Sequence, residues 1–162
     1  MIRSTLYLND RREPPYRTMN TSTRLLVKRL RDDAHLPVRQ TEGSAGYDLY
    51  SVEDVSIAPG EWSCVGTGVS FTVPEGTYGR IAPRSGLSCK GSHVGAGVVD
   101  RDYTGEVKVL LFNMNREKCI DISKGDRVAQ LLLSKIALCD VLEVDSLSET
   151  DRGSGGFGST GS

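Results

Sequence analysis

The sequence predicts an all-β fold, a sandwich or barrel of short strands. Three observations carry this. Short apolar-rich runs recur at similar spacing, glycine and proline punctuate them, and one run alternates apolar with charged residues. The first run is LLVKRL (25–30). VSFTV (69–73) and TYGRIA (77–82) follow, with the turn residues Pro74, Glu75 and Gly76 between them. In EVKVLLFN (106–113), Val107 and Val109 alternate with Glu106 and Lys108, the pattern of a strand with one wet face. CIDI (119–122) precedes a turn at Gly125-Asp126. RVAQLLLSKIAL (127–138) has the length of a helix, but its Val, Ile and Leu content and its neighbours favour one or two strands. The sole helix expected is a brief one near SGLSCKG (85–91).

A chain of 162 residues suits one domain, with about two-thirds of its unfolded surface buried. We place that domain at 24–150. Residues 1–23 read as a disordered extension and 151–162 as a flexible glycine-rich tail. The extension carries Arg3, Arg11, Arg12 and Arg17, as an organelle transit segment does, and Asp10 and Glu13, which such segments avoid. Met19 is a candidate second start. The expected location is intracellular, cytoplasm or nucleus, with organelle targeting left open.

Twenty basic against 21 acidic residues give a net charge of −1. That argues against nucleic acid as a partner, because duplex DNA asks for a strongly basic face. A small anion held by a few arginines stays open. No apolar run approaches the length of a membrane span, so no membrane partner is expected. Cys64, Cys89, Cys119 and Cys139 lie 20 to 30 residues apart and lack the close pairing of a zinc cage. They are expected to be reduced thiols in or near the core.

Five polar, patterned segments stand out, and loops of that kind carry function more often than strands do. SAGYDLYS (44–51) sets Asp48 among small and apolar residues, as a site carboxylate or as the end of a strand. APRSGLS (82–88) offers the planar fork of Arg84, then Ser85 and Gly86 where a helix start would leave N–H groups free for an anion. GVVDRDYTGEV (97–107) holds Asp100, Asp102 and Glu106 around Tyr103, and Asp100 follows two valines that can alter its proton affinity. In KGDRVAQLLL (124–133), Gln130 interrupts an apolar run, and Asp126 and Arg127 read as turn residues able to pair. RGSGGFGSTGS (152–162) has five glycines among eleven residues. It lacks the strand-to-helix context of a dinucleotide fingerprint. Arg152, Ser159 and Thr160 are nonetheless phosphate-binding types, and Phe157 is able to stack on a base.

In this order the five segments resemble the motifs of the trimeric dUTPase family, the deoxyuridine triphosphate nucleotidohydrolases. The resemblance runs over roughly 24–161. It implies a jelly-roll-like β-barrel assembled as a homotrimer, with each C-terminal arm completing a neighbouring active site. It implies hydrolysis of dUTP to dUMP and pyrophosphate by water attack on the α-phosphorus, which lowers dUTP and supplies dUMP for dTMP synthesis. Asp100 would be the base. Arg84, Ser85, Gly86, Gln130 and Arg152 would hold the phosphates. The hairpin of Gly97, Val98 and Val99, with Lys108, would read uracil through backbone groups, near Asp102. Tyr103 would pack under the sugar and exclude a ribose 2′-hydroxyl. Phe157, Gly158, Ser159 and Thr160 would close the site as a lid. Mg²⁺ would sit mainly on the phosphates, with Asp48 assisting through water. Lys108 stands where a smaller residue is expected, and Ser88 and Cys89 where alanines are common. A dCTP deaminase of related fold and a non-catalytic dUTP-binding protein are the alternatives.

Overall fold

The computed structural model describes residues 23–156. In chain order these form β1 (Leu26–Arg29), β2 (Tyr47–Tyr50), β3 (Val55–Ile57), β4 (Trp62–Gly66), β5 (Val69–Thr72), β6 (Thr77–Ala82), α1 (Ser85–Ser88), β7 (Ser92–Gly95), β8 (Val98–Val99), β9 (Lys108–Asn113), β10 (Ile120–Ile122) and β11 (Arg127–Lys135). Every strand pairing is antiparallel. The sheets run β2-β11-β6-β8, β4-β9-β7, β1-β5 and β10-β3. No helix among the described residues is long and apolar enough to cross a membrane.

Alternation decides which residues go inside. On β9, Val109, Leu111 and Asn113 are fully buried, while Lys108 faces out. They join Leu49, Val65, Val128 and Leu131 in one core. Truncating a leucine there to alanine costs about 2–5 kcal/mol. Asn113 is a buried polar group, and its bonds satisfy it. Its Nδ2 donates to the carbonyls of Ile57 (2.8 Å) and Lys118 (2.9 Å), and its Oδ1 accepts the Asn115 N–H.

All six apolar runs contain a strand. The run at 127–138 is one strand, and its central position explains its length: β11 ladders with β2 on one side and β6 on the other. Strands β3, β4 and β7 were not foreseen, and β2 only as one reading of Asp48. They span three to five residues; β3, β4 and β7 mix in serine, cysteine, histidine or glycine and β2 holds Asp48, which blurs the apolar signal. The cysteines correct an expectation. All four are free thiols, but they are exposed rather than in the core. Cys64 shows why: its neighbour Val65 takes the inward position on β4, so strand alternation turns the thiol outward.

Beyond β11 the chain leaves the body. The Ile136 N–H still donates to Gly76 O at 3.1 Å. From there to Thr150 no strand forms, and Leu138, Val141, Leu142 and Leu147 are each more than four-fifths exposed.

Candidate active site

Strand register brings three of the five segments together. On β11, Gln130 lies opposite Asp48 of β2 and, on its other side, opposite Ala82 at the end of β6. Pro83 and Arg84 follow Ala82 and lead into the single turn of α1. The Gln130 amide donates to Pro83 O at 2.9 Å, and its side chain fills the room left by Gly46. Asp48 is buried, yet both its oxygens are engaged. Oδ1 accepts Arg84 Nε at 3.0 Å and Oδ2 accepts Arg127 Nη1 at 3.2 Å. Arg84 Nη1 also donates to Arg127 O at 3.0 Å. The ladder of β2 and β11 shifts register between Arg127 and Ala129, an irregularity of the kind that re-aims a side chain.

These side chains line a cavity of about 370 Å³ with Gln40, Ser44 and Ser85. Two guanidiniums face one carboxylate there, which leaves a net positive charge. Guanidinium forks match phosphate oxygens, and Asp48 fixes both before any ligand arrives. The N–H groups of Ser85 and Gly86 open α1, where no earlier turn supplies a carbonyl, while the carbonyl of Arg84 accepts from Leu87 and Ser88.

The third segment builds a second cavity, of about 620 Å³, on β8 and the loop beyond it. Its wall includes Gly97, Val98, Val99, Asp100, Tyr103 and Lys108. The loop crosses β6 tightly: Ile81 N donates to Gly97 O at 2.8 Å. Gly97 has φ +101°, and a Cβ there would stand 2.7 Å from Ile81 O, so only glycine fits. Ala96 beside it is also left-handed, at φ 53°, a strained state for alanine. Tyr103 donates its hydroxyl to Glu106 O at 2.9 Å. The Glu106 carboxylate accepts the Gly68 N–H at 2.9 Å, tying the loop to the turn before β5. Asp100 is exposed at the start of the loop.

The two cavities share no lining residue. Asp48, Arg84, Ser85 and Gln130 fall together in the smaller one, while Gly97, Val98, Val99, Asp100, Tyr103 and Lys108 fall in the larger. Gly86 and Asp102 line neither, although each adjoins a residue that does. Arg152 is exposed, bonds Gly155 O at 2.9 Å and lines neither cavity. Phe157, Gly158, Ser159 and Thr160 lie outside the described residues, as does nearly all of the extension.

Sequence reasoning missed Arg127 and Gln40 as cavity residues and Glu106 as a brace. Arg127 was expected to pair with Asp126. Instead Asp126 Oδ2 accepts the Ser123 N–H at 2.9 Å, closing its own turn, and Arg127 reaches Asp48. Nothing local in the chain signals that choice, since Asp48 lies 79 residues away.

Fold and cavities define an all-β protein with an arginine-lined cavity and, apart from it, a larger one walled by a glycine-tight loop, an aromatic and a carboxylate. The dUTPase family model matches residues 32–161. The chain belongs to the dUTPase family. It is 55% identical over 144 residues to a deoxyuridine 5′-triphosphate nucleotidohydrolase of Saccharomyces cerevisiae, covering 87% of this chain and 97% of that one. A solved mutant dUTPase of Staphylococcus bacteriophage 80alpha with dUpNHpp aligns with a TM-score of 0.79 and 29% identity, covering 86% of this chain and 99% of that one. A mutant dUTPase from phage phi11 of S. aureus, described for the coordination of a structural Mg(II) ion, aligns at 0.72 with 26% identity, over 78% of this chain and 99% of that one.

Proposed function

We propose that the protein hydrolyses dUTP to dUMP and pyrophosphate at sites shared between copies of the chain. The observation that carries this reading is the division of the motifs between two cavities without a common wall. A nucleoside triphosphate needs a base-and-sugar wall and a phosphate wall at once. In one chain they are separate cavities. In an assembly, the loop of one copy faces the arginines of another. The exposed apolar segment after β11 supplies a reason to assemble, because Leu138, Val141, Leu142 and Leu147 gain burial only against a neighbour. A homotrimer with this segment exchanged meets both needs.

The reaction follows from the residues. The Asp100 carboxylate takes a proton from a water as the water oxygen bonds to the α-phosphorus. The bond from that phosphorus to the α,β-bridging oxygen breaks, and pyrophosphate leaves with the electron pair. Arg84, Arg127 and Gln130 meet charge growing on the phosphate oxygens, and their fixed geometry removes reorganisation from the barrier. Gly97, Val98 and Lys108 read the base by backbone groups, and Tyr103 packs under the deoxyribose. Arg152 and 157–160 close the site.

Magnesium fits as a guest of the substrate. Both oxygens of Asp48 are held by arginines, and no group of three or more His, Cys, Asp or Glu among the described residues is placed to hold an ion. Mg²⁺ would be carried mainly by the substrate's phosphates, and Asp48 would help to hold it through water. When bound it neutralises triphosphate charge.

Two measurements test the reading. Pyrophosphate is expected from dUTP and from no other nucleoside triphosphate at comparable rate, and ammonia from dCTP would overturn the assignment. Asp100→Asn and Arg84→Ala, each inactive alone, should regain activity when refolded as a mixture, because mixed assemblies contain sites free of both changes. No recovery would place each site within one chain.

A further inference from the structure

Gly105 is two residues beyond the tyrosine that walls the larger cavity, and its backbone φ is not left-handed, so turn geometry does not explain it. Its neighbours do. A Cβ at position 105 would stand 2.6 Å from the Tyr103 hydroxyl oxygen, 2.7 Å from Cζ and 3.0 Å from Cε2. All three are atoms of one side chain. The tyrosine folds back over the glycine, and its hydroxyl donates to Glu106 O at 2.9 Å. Glu106 is itself anchored, because its Oε1 accepts the Gly68 N–H at 2.9 Å and its Oε2 lies 3.8 Å from Lys108 Nζ. The ring is thus held from below by the absence of a methyl group and at its tip by a braced carbonyl.

We infer that Gly105 is a positioning residue for sugar selection: it sets the height of the Tyr103 ring, and through it the rejection of ribonucleotides. The inference rests on the proposed function, in which that ring packs under the deoxyribose. Adding a methyl group lifts the ring, because the ring is the movable partner and the backbone at 105 tolerates alanine. A ring pushed off that seat tilts away from C2′, so the deoxy sugar loses its contact and a 2′-hydroxyl is no longer shut out. Discrimination at the scale of one or two heavy atoms is worth about 10- to 200-fold.

The experiment compares kcat/KM for dUTP and UTP in the full chain and in Gly105→Ala, Tyr103→Ala, the double variant and Tyr103→Phe. In Gly105→Ala the dUTP-to-UTP ratio should fall by about tenfold or more, with the thermal midpoint little changed. In the Tyr103→Ala background the same glycine change should do nothing further, since its action runs through the ring. Tyr103→Phe keeps the ring and loses the tip bond, so the ratio should fall by less. It also serves if Gly105→Ala does not fold, and an unchanged ratio in it removes the tether. A preserved ratio in Gly105→Ala, or an equal loss in the Tyr103→Ala background, overturns the inference. A parent chain that hydrolyses neither nucleotide sinks the functional reading itself, and the two failures are therefore distinct.

Discussion

Asp48 and Arg127 meet at 3.2 Å across strands whose sequence positions are 79 residues apart, and the same carboxylate holds Arg84 at 3.0 Å. One buried acid thus presets two cations. Asp48→Asn leaves the shape and removes the charge that fixes both guanidiniums. Hydrogen bonds to charged groups are worth about 1.5–3 kcal/mol, so kcat/KM for dUTP should fall about 10- to 100-fold. Arg127→Ala should show a loss of similar size, although its position in the chain resembles an ordinary turn. Pyrophosphate release measures both, and a change within twofold in either would remove it from the machinery.

Asp100 gives the sharpest separation of binding from chemistry. Asp100→Asn keeps the side-chain size and removes the carboxylate proposed as the base, and loss of a positioned base costs about 10²–10⁴-fold in rate. Affinity for a non-hydrolysable dUTP analogue should stay within a few-fold of the parent. Hydrolysis unchanged within threefold would reject Asp100 as the base.

How much of this was legible depends on how local each signal is. Strands β5, β6 and β9 announce themselves, because apolar residues alternate over several positions between glycine and proline turns. The short strands β2 and β7 do not, since their extended state is set by partners that lie far along the chain, β11 for one and β9 for the other. The same split holds at the site. Arg84, Gln130 and Tyr103 sit in patterned segments that marked them as candidates, and each lines a cavity. Arg127 was readable as a residue but not as a cavity member, since its bond to Asp48 is made across β2 and β11, far apart in the chain. Glu106 acts partly through its carbonyl, and a backbone role leaves no mark on side-chain identity. The cysteines misled because burial habit is an average, while alternation on β4 decides the particular case.

Two truncations separate the exposed arm from the tail beyond it. Ending the chain after Thr150 removes Arg152 and the glycine-rich tail but keeps Leu138, Val141, Leu142 and Leu147. Gel filtration should still find a trimer, with turnover reduced by a hundredfold or so, the scale of a lost transition-state contact set. Ending it after Lys135 removes the arm as well and should give a smaller species, because the apolar surface that reaches a neighbour is gone. A monomer after the first cut would make the tail structural and reject its role as a lid. A trimer after the second would show that the arm does not hold the copies together.

The last prediction concerns the brace behind Arg127. Asp33 accepts Arg31 Nε and Nη2, each at 2.9 Å, and Lys124 Nζ at 2.6 Å. Lys124 lies in the 123–126 turn, which is tied to the end of the first motif by Gly125 N–H to Ser51 O and by Ser51 N–H to Asp126 O, both 2.8 Å. The hydrogen bonds from Arg31, then that from Lys124, hold the Asp33 carboxyl well below the ordinary carboxylate range. A depressed folded-state pKa means that the unfolded chain takes up the proton first as pH falls. The stabilisation is therefore complete above the ordinary value of 3.8 and is lost progressively below it. Asp33→Asn never has it. The parent should melt slightly higher than Asp33→Asn at pH 7, by a small margin because the group is solvent-exposed and screened. That margin should shrink in high salt, and shrink again as the pH is taken below about 4. A margin that holds constant through both titrations would show that packing of the 30–36 segment, and not charge, accounts for the difference.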